Sequence, residues 1–173
     1  LAFAYSIVKK LKINDKIIIK AINNFKGLPH RQKIIFLSNK ITCVNDSKAT
    51  SFDACLQSLS VFSKIYWIVG GIPKKNDTFN INKISKNIIK AYIIGKSTDF
   101  FVKKIKKKVS YKISNTVAKA VKYIFNDIKK EKDSRLTILL SPGAASYDQF
   151  KNFEERGNYF KKLMLKKLKK SYV

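Results

Sequence analysis

Three short polar segments of the chain carry residue types that could bind a small anion. Each follows an apolar run, and they are residues 45–50, 70–74 and 141–146. The hydroxyls of Thr50 and Ser146, the ammonium group of Lys74 and free backbone N–H groups are donors that favour a carboxylate or a phosphate. The segments therefore predict a site for a small anionic substrate, such as a dicarboxylate, rather than for a long polyanion.

Each of these residues also has an ordinary structural interpretation. Thr50 and Ser146 are typical helix N-caps, and Lys74 is one of 34 lysines. A nucleophilic triad is not indicated, because His30 is the only histidine. The two cysteines, Cys43 and Cys55, have no CxxC spacing, so we predict buried thiols and neither a metal site nor a disulfide.

Acidic residues are rare and cluster in two segments. Five of the 11 carboxylates are Asp46, Asp53, Asp148, Glu154 and Glu155. Asp46 could accept a hydrogen bond from a ribose hydroxyl, hold a metal-bound water or cap a turn, and the sequence leaves these alternatives open. We assign no residue as a direct metal ligand.

The alternation of strand and helix patterns predicts an α/β fold. Strands are expected over residues 33–38, 41–44, 65–69, 91–94, 109–113 and 136–140. The unbroken apolar runs 65–69 and 136–140 are typical of parallel strands buried on both faces, and Asn39-Lys40 predicts a hairpin turn. Ligands of such sheets bind where the strands end, so we expect the three polar segments to meet at one edge.

Helical spacing of apolar residues supplies the remaining elements. We predict helices over residues 1–12, 16–25, 52–62, 81–90, 97–105, 116–132 and 158–171, the last preceded by a loop and helix start over residues 141–157. Thr50 and Asp53 have the spacing of a capping box, and Asn14 or Asp15 is expected to cap the second helix. Two of the polar segments, those ending in Thr50 and Ser146, are expected to run into helix N-termini, where the helix dipole favours an anion.

The net charge of +26, from 37 basic and 11 acidic residues, raises nucleic acid or an anionic lipid surface as partners. However, the chain has 34 Lys, 23 Ile and 13 Asn but only 3 Arg, which is the composition that AT-rich codons produce. Arg is the residue that best suits phosphate and guanine, so we favour codon bias over a nucleic-acid surface. No apolar run is long enough to span a membrane.

Four strings of the sequence resemble the Mur ligases of bacterial peptidoglycan synthesis. They are residues 27–31 (GLPHR), 45–50 (NDSKAT), 70–74 (GGIPK) and 140–157 (LSPGAASYDQFKNFEERG), and their order and spacing agree along residues 27–162. The resemblance implies that residues 27–173 form a Rossmann-like, amino-acid-binding C-terminal domain. It also implies that residues 1–26 are the last helices of the central ATPase domain.

The SKAT and DQFKNFEERG strings resemble the branch of the family that adds D-glutamate. The resemblance implies an ATP- and Mg²⁺-dependent ligase, acting in the cytoplasm on UDP-N-acetylmuramoyl-L-alanine through an acyl phosphate, and we expect a monomer. The chain has no GxxxxGK[ST] loop, so we expect it to be inactive without the ATPase domain. A solitary basic domain that binds nucleic acid or anionic lipid, and a decayed remnant without activity, are the alternatives.

The resemblance also implies roles for individual residues. Those expected to bind D-glutamate are Thr50, Lys74, Ser146, Tyr147 through its backbone, and Phe153. Those expected to face the nucleotide are Arg31, toward phosphate, Asp46, toward ribose, and Lys48, which would shape the same edge.

Overall fold

The computed structural model describes residues 2–75, 77–78, 80–131 and 135–172, the side chains of 170–172 excepted. The helices are α1 (Ala2–Lys10), α2 (Asp15–Asn24), α3 (Phe52–Val61), α4 (Thr98–Ile105), α5 (Val117–Ile128) and α6 (Phe153–Tyr172). The strands are β1 (Lys33–Leu37), β2 (Ile41–Asn45), β3 (Ile65–Gly70), β4 (Ile88–Ile94), β5 (Tyr111–Asn115) and β6 (Leu136–Leu140).

The six strands form one sheet in the order β1-β2-β6-β3-β4-β5. Strand β1 is antiparallel to β2, as the predicted hairpin requires, and all other neighbours are parallel. The predicted α/β fold is therefore confirmed. Because β2, β6 and β3 are parallel neighbours, the loops that follow them leave the sheet side by side.

Helices cover both faces of the sheet, which explains why its central strands are apolar without alternation. On β3, Tyr66 and Ile68 pack with α5 and α6 in one core, whereas Trp67 and Val69 pack with α3 and α4 in the other. Every residue of β2, β3 and β6 is buried. Two apolar layers thus hold the sheet rigid beneath its loops.

One predicted helix is wrong. Residues 81–90 contain a single 3₁₀ turn, Ser85–Asn87, and strand β4 begins at Ile88, where Ile65 of β3 is its neighbour. Ile81, Ile84 and Ile88 have helical spacing, but all three side chains are buried in the core that the sheet forms with helices α3 and α4. Strand pairing and burial decide the conformation here, and the spacing does not.

One helix end differs from the prediction by more than two residues. Helix α5 ends at Ile128 rather than at residue 132, which lies outside the described residues. Helix α6 begins at Phe153, within the predicted loop and helix start at residues 141–157, and includes Gly157. A Cβ atom at residue 157 would lie 2.2 Å from Nδ1 of His30, so this glycine serves a close approach to His30 and does not break the helix.

The first two helices line an apolar cavity of about 480 Å³, with residues such as Tyr5, Ile17 and Phe25 around it. Asn14 caps α2, as predicted, by accepting from the Lys16 N–H over 2.9 Å. Ile18 is the one buried residue described in either helix. Among the described residues, no helix has the length and apolar character that crossing a bilayer requires.

Candidate functional site

The three polar segments meet at one edge of the sheet, as predicted. The Asp46 N–H donates to the carbonyl of Leu140 over 2.8 Å, and the Gly143 N–H donates to the carbonyl of Ala49 over 2.9 Å. On the other side, the Gly70 N–H donates to the carbonyl of Pro142 over 2.9 Å. The middle loop is therefore tied by its backbone to both neighbours, which holds the edge in one arrangement.

A two-stranded bridge joins the loop that carries Lys74 to the loop that carries Ser146. Ile72 and Ala145 exchange two backbone hydrogen bonds of 2.9 Å each. The approach depends on Gly71, which has φ of +129° and would place a Cβ 2.2 Å from the carbonyl oxygen of Ala145. An L side chain fits neither that backbone conformation nor that space.

The three residues expected to face a nucleotide line one cavity of about 380 Å³ at the end of β2. Arg31, Asp46 and Lys48 supply its charged groups. Its other lining residues are apolar or amide-bearing, and they are Phe25, Gly27, Leu28, Gln32, Ala49, Ala54 and Gln57. The cavity thus combines two cations with an apolar wall, which is the chemistry that a nucleotide or another anionic ring compound would need.

The carboxylate of Asp46 is buried and already accepts three hydrogen bonds. Its Oδ2 accepts from the hydroxyls of Ser58 (2.6 Å) and Ser141 (2.8 Å), and its Oδ1 accepts from the Gln32 N–H (3.1 Å). Burial raises the pKa of Asp46, and these hydrogen bonds and the nearby charge of Arg31 oppose the rise. A carboxylate has about four acceptor positions, so at most one remains for a ligand, and the side chain chiefly joins three elements.

Lys48 and His30 pack on Phe153 at the start of α6. The Lys48 Nζ lies 3.9 Å from the centroid of the Phe153 ring, and the His30 ring meets the same ring edge-on with centroids 6.1 Å apart. The backbone also connects this group, because the Lys48 N–H donates to the carbonyl of His30 over 3.0 Å. Phe153 therefore holds the Lys48 ammonium near the cavity lined by Arg31, Asp46 and Lys48 by a cation–π contact.

The tautomer of His30 follows from its neighbours. Asn45 Nδ2 lies 2.9 Å from the carbonyl of Gly157, which can only accept, so this atom of Asn45 is the amide nitrogen. The same nitrogen lies 3.1 Å from His30 Nδ1, which must accept from it. When neutral, His30 thus carries its proton on Nε2.

The residues expected to bind D-glutamate differ in exposure. Ser146 is buried, Thr50 and Phe153 are partly buried, and Lys74 and Tyr147 are exposed. The side chain of Lys74 is accessible from solvent, whereas Ser146 is buried and directly follows Ala145 of the bridge.

The predicted capping roles of Thr50 and Ser146 are wrong. The N-cap of α3 is Ser51, and the Phe52 N–H donates instead to Oδ2 of Asp77, over 2.7 Å. The carbonyl of Ser146 accepts from two N–H groups of a separate turn before α6, those of Gln149 and Phe150. The hydroxyls of Thr50 and Ser146 are therefore not consumed as N-caps of α3 and α6.

The side chain of Asn152 caps the N-terminus of α6. The Glu155 N–H donates to Asn152 Oδ1 over 2.8 Å, and Glu155 Oε2 accepts from the Lys151 N–H over 2.7 Å. Residues 147–152 separate Ser146 from α6, which starts at Phe153. The loop that carries Ser146 thus leads into α6 through a separate turn, in agreement with the predicted loop and helix start at residues 141–157.

Arg156 is a buried residue of the site to which the sequence assigned no role. Its Nε donates to the Ser47 hydroxyl (3.0 Å), Nη2 to the Ser47 carbonyl (2.9 Å) and Nη1 to the Ala144 carbonyl (3.1 Å). Burial lowers the pKa of Arg156 to about 10, against the attraction of Asp148. One signal could have revealed it, because Arg156 stands four and eight residues before the core residues Phe160 and Met164, on the apolar face of α6.

Within the described residues, no group of three or more His, Cys, Asp or Glu side chains could hold a metal ion. The lysine run 106–108 borders a shallow cavity of about 430 Å³ near Tyr111.

Several curated proteins are similar to this chain over most of its length, although no family model matches it. The UDP-N-acetylmuramoylalanine–D-glutamate ligase of Rickettsia felis is 38% identical over 94% of this chain and 36% of its own length. The ligase of that name from Mesorhizobium japonicum is 41% identical over 81% of this chain and 30% of its own length. That of Wolbachia sp. subsp. Brugia malayi is 37% identical over 100% of this chain and 34% of its own length. The chain spans about a third of the length of these relatives.

Proposed function

We propose, on the premise that this chain belongs to the UDP-N-acetylmuramoylalanine–D-glutamate ligases of the Mur ligase family, that it is the part of such a ligase that binds D-glutamate. The relatives favour this function over a solitary basic domain that binds nucleic acid or lipid. The reaction would belong to peptidoglycan synthesis in the cytoplasm.

One observation carries the proposal: the loops that bear Thr50, Lys74 and Ser146 lie on neighbouring strand ends and are tied together by backbone hydrogen bonds. D-Glutamate has two carboxylates and one amine, so its binding site needs several donors and at least one cation at fixed separations. In our proposal the Lys74 ammonium pairs with one carboxylate, and the two hydroxyls donate to carboxylate oxygens. The backbone of Tyr147 and the ring of Phe153 complete the site.

The cavity at the end of β2 would face the nucleotide. Arg31 and Lys48 supply cations for phosphate oxygens, and the last acceptor position of Asp46 would receive a ribose hydroxyl. Since three of its acceptor positions are used internally, the larger contribution of Asp46 is to hold Gln32 and the Ser141 loop in place.

The remainder of the chemistry would come from outside this chain. The sequence has no GxxxxGK[ST] loop for ATP phosphates. We assign ATP and Mg²⁺ to the ATPase domain of the complete ligase and expect this chain to be inactive alone. Helices α1 and α2, where Ile18 is the one buried residue described, would be the end of that domain.

The proposed reaction joins the amine of D-glutamate to the carboxylate of UDP-N-acetylmuramoyl-L-alanine. ATP would transfer its γ-phosphoryl group to that carboxylate with release of ADP, and the amine would attack the acyl carbon and lose a proton as the amide forms and phosphate leaves. The contribution of this chain is to hold the amine near the acyl carbon, which replaces a bimolecular encounter by a positioned one.

A chimera tests the proposal. The chain replaces the matching third of one of the relatives, and phosphate release is measured with ATP, UDP-N-acetylmuramoyl-L-alanine and either D- or L-glutamate. We expect release that depends on D-glutamate and is at least about tenfold slower with L-glutamate, since only one enantiomer matches three fixed donors. A folded chimera without D-glutamate-dependent release would contradict the proposal.

A further inference from the structure

The segment that carries Lys74 is fastened at two points. Ile72 is bonded to Ala145 on one side, through two backbone hydrogen bonds of 2.9 Å. On the other side, the carboxylate of Asp77 accepts from the N–H of Phe52 over 2.7 Å, at the first turn of α3. Lys74 stands between these two attachments, and its carbonyl accepts from the Asp77 N–H over 3.2 Å.

The attachments limit where the backbone of Lys74 can be. A residue spans at most about 3.6 Å of extended chain, so Lys74 stays within about 7 Å of residue 72 and about 11 Å of residue 77. Thr50 is two residues from Phe52, the residue to which Asp77 is bonded, and Ser146 directly follows Ala145. Each attachment therefore connects Lys74 to one of the two hydroxyl-bearing residues.

The carboxylate of Asp77 caps helix α3 from outside that helix. Ser51, the N-cap residue, makes no side-chain capping bond, and the Asp77 carboxylate takes that position from a distant part of the sequence. A negative charge at a helix N-terminus is favourable, so the helix dipole strengthens the hydrogen bond between Asp77 and Phe52.

We propose that Asp77 is a positioning residue for substrate binding: by capping α3 it holds the Lys74 ammonium at the distance from Thr50 that the two carboxylates of D-glutamate require. The inference rests on the proposed function and adds to it a residue that does not touch the substrate. Asp77 acts through its backbone hydrogen bond to the carbonyl of Lys74.

The test uses the chain itself, ¹⁵N-labelled, and two measurements. D-Glutamate is titrated while amide shifts are followed by NMR, and hydrogen exchange of the Phe52 amide is recorded without ligand. Asp77→Ala should speed exchange at Phe52 and weaken D-glutamate binding about tenfold or more. Asp77→Asn, which keeps an acceptor oxygen, should restore both to within about threefold, and Asp53→Ala is the control on the same helix turn, because Asp53 is exposed.

A glycine inserted after Lys75 separates capping from positioning. The insertion leaves Asp77 able to cap α3 but lengthens the segment, so we expect slow exchange at Phe52 together with D-glutamate binding weakened about tenfold. If Asp77→Ala does not fold, the insertion variant alone tests the inference. The inference would be overturned if the insertion variant bound D-glutamate normally. It would also be overturned if folded Asp77→Ala bound D-glutamate normally while its Phe52 amide exchanged fast. No D-glutamate binding by the unaltered chain, with Phe52 protected, would instead overturn the proposed function and this inference with it.

Discussion

Arg156 donates through Nη2 to the carbonyl oxygen of Ser47 over 2.9 Å, although the two residues are 109 positions apart. The same guanidinium reaches the carbonyl of Ala144, so one side chain on α6 holds two of the three loops at the sheet edge. Arg156 is 1% exposed and bonds to neutral oxygens rather than to a carboxylate. The loops are therefore held by the geometry of a fixed fork of donors.

Replacing Arg156 should destabilise the fold. Arg156→Lys keeps the charge but cannot make three divergent hydrogen bonds, so we expect the free energy of unfolding to fall by about 3 kcal/mol or more. Urea unfolding followed by circular dichroism measures the change. Arg135→Lys is the matched control, because Arg135 is exposed, and its effect should stay within about 0.5 kcal/mol. Equal losses for the two variants would contradict the role given to Arg156.

The raised pKa of Asp46 predicts how stability depends on pH. Burial is the first cause of the rise, so the folded protein retains the Asp46 proton to higher pH than the unfolded chain does. Between the unfolded pKa, near 3.8, and the higher folded pKa, ionisation of Asp46 therefore makes unfolding easier as pH rises.

Asp46→Asn removes this titration. As pH rises from about 4, the unfolding free energy of the wild-type protein should therefore fall relative to that of Asp46→Asn, and the difference between the two should then become constant. Urea unfolding of both proteins between pH 3.5 and 7, in steps of about 0.5, supplies the comparison. A difference that moves in favour of the wild type over this range would show that the hydrogen bonds from Ser58, Ser141 and Gln32 outweigh burial.

Lys74→Ala should impair the use of D-glutamate in the chimera. Loss of a charge-assisted contact to a carboxylate should lower kcat/KM for D-glutamate about tenfold or more, with KM for ATP changed far less. Lys107→Ala is the control, since Lys107 is an exposed lysine of the 106–108 run. If both variants lose equally, the effect comes from general charge and Lys74 has no specific role.

Gly71→Ala should disrupt the bridge between the loop that carries Lys74 and the loop that carries Ser146. The new Cβ would lie 2.2 Å from the carbonyl oxygen of Ala145, at a φ of +129°, so we expect a loss of more than about 3 kcal/mol in unfolding free energy. Gly27→Ala measures the free-energy cost of the positive φ alone, because Gly27 has φ of +73° and no atom within 4 Å of an added Cβ. That control should cost only about 1–2 kcal/mol, and thermal or urea unfolding of both proteins decides the matter.

The elements with the simplest local patterns were predictable from the sequence. The apolar runs at Ile65–Gly70 and Leu136–Leu140 are strands because continuous apolar character over five or six residues suits a strand covered on both faces. The position of the three polar segments after their strands was enough to predict a shared edge. The approximate location of the candidate site thus follows from element order alone.

Tertiary contacts decided the details that local pattern could not. Residues 81–90 have helical spacing, yet pairing with β3 makes most of the second half of that segment a strand. The sequence predicts Thr50 as the cap of α3, but Asp77 is bonded there from 25 residues away, and Arg156 reaches the Ser47 loop from 109 residues away. Local sequence determines which conformations a segment favours, whereas the partner of a buried donor is whichever acceptor the folded chain brings within hydrogen-bond distance, since a buried polar group left unpaired costs free energy.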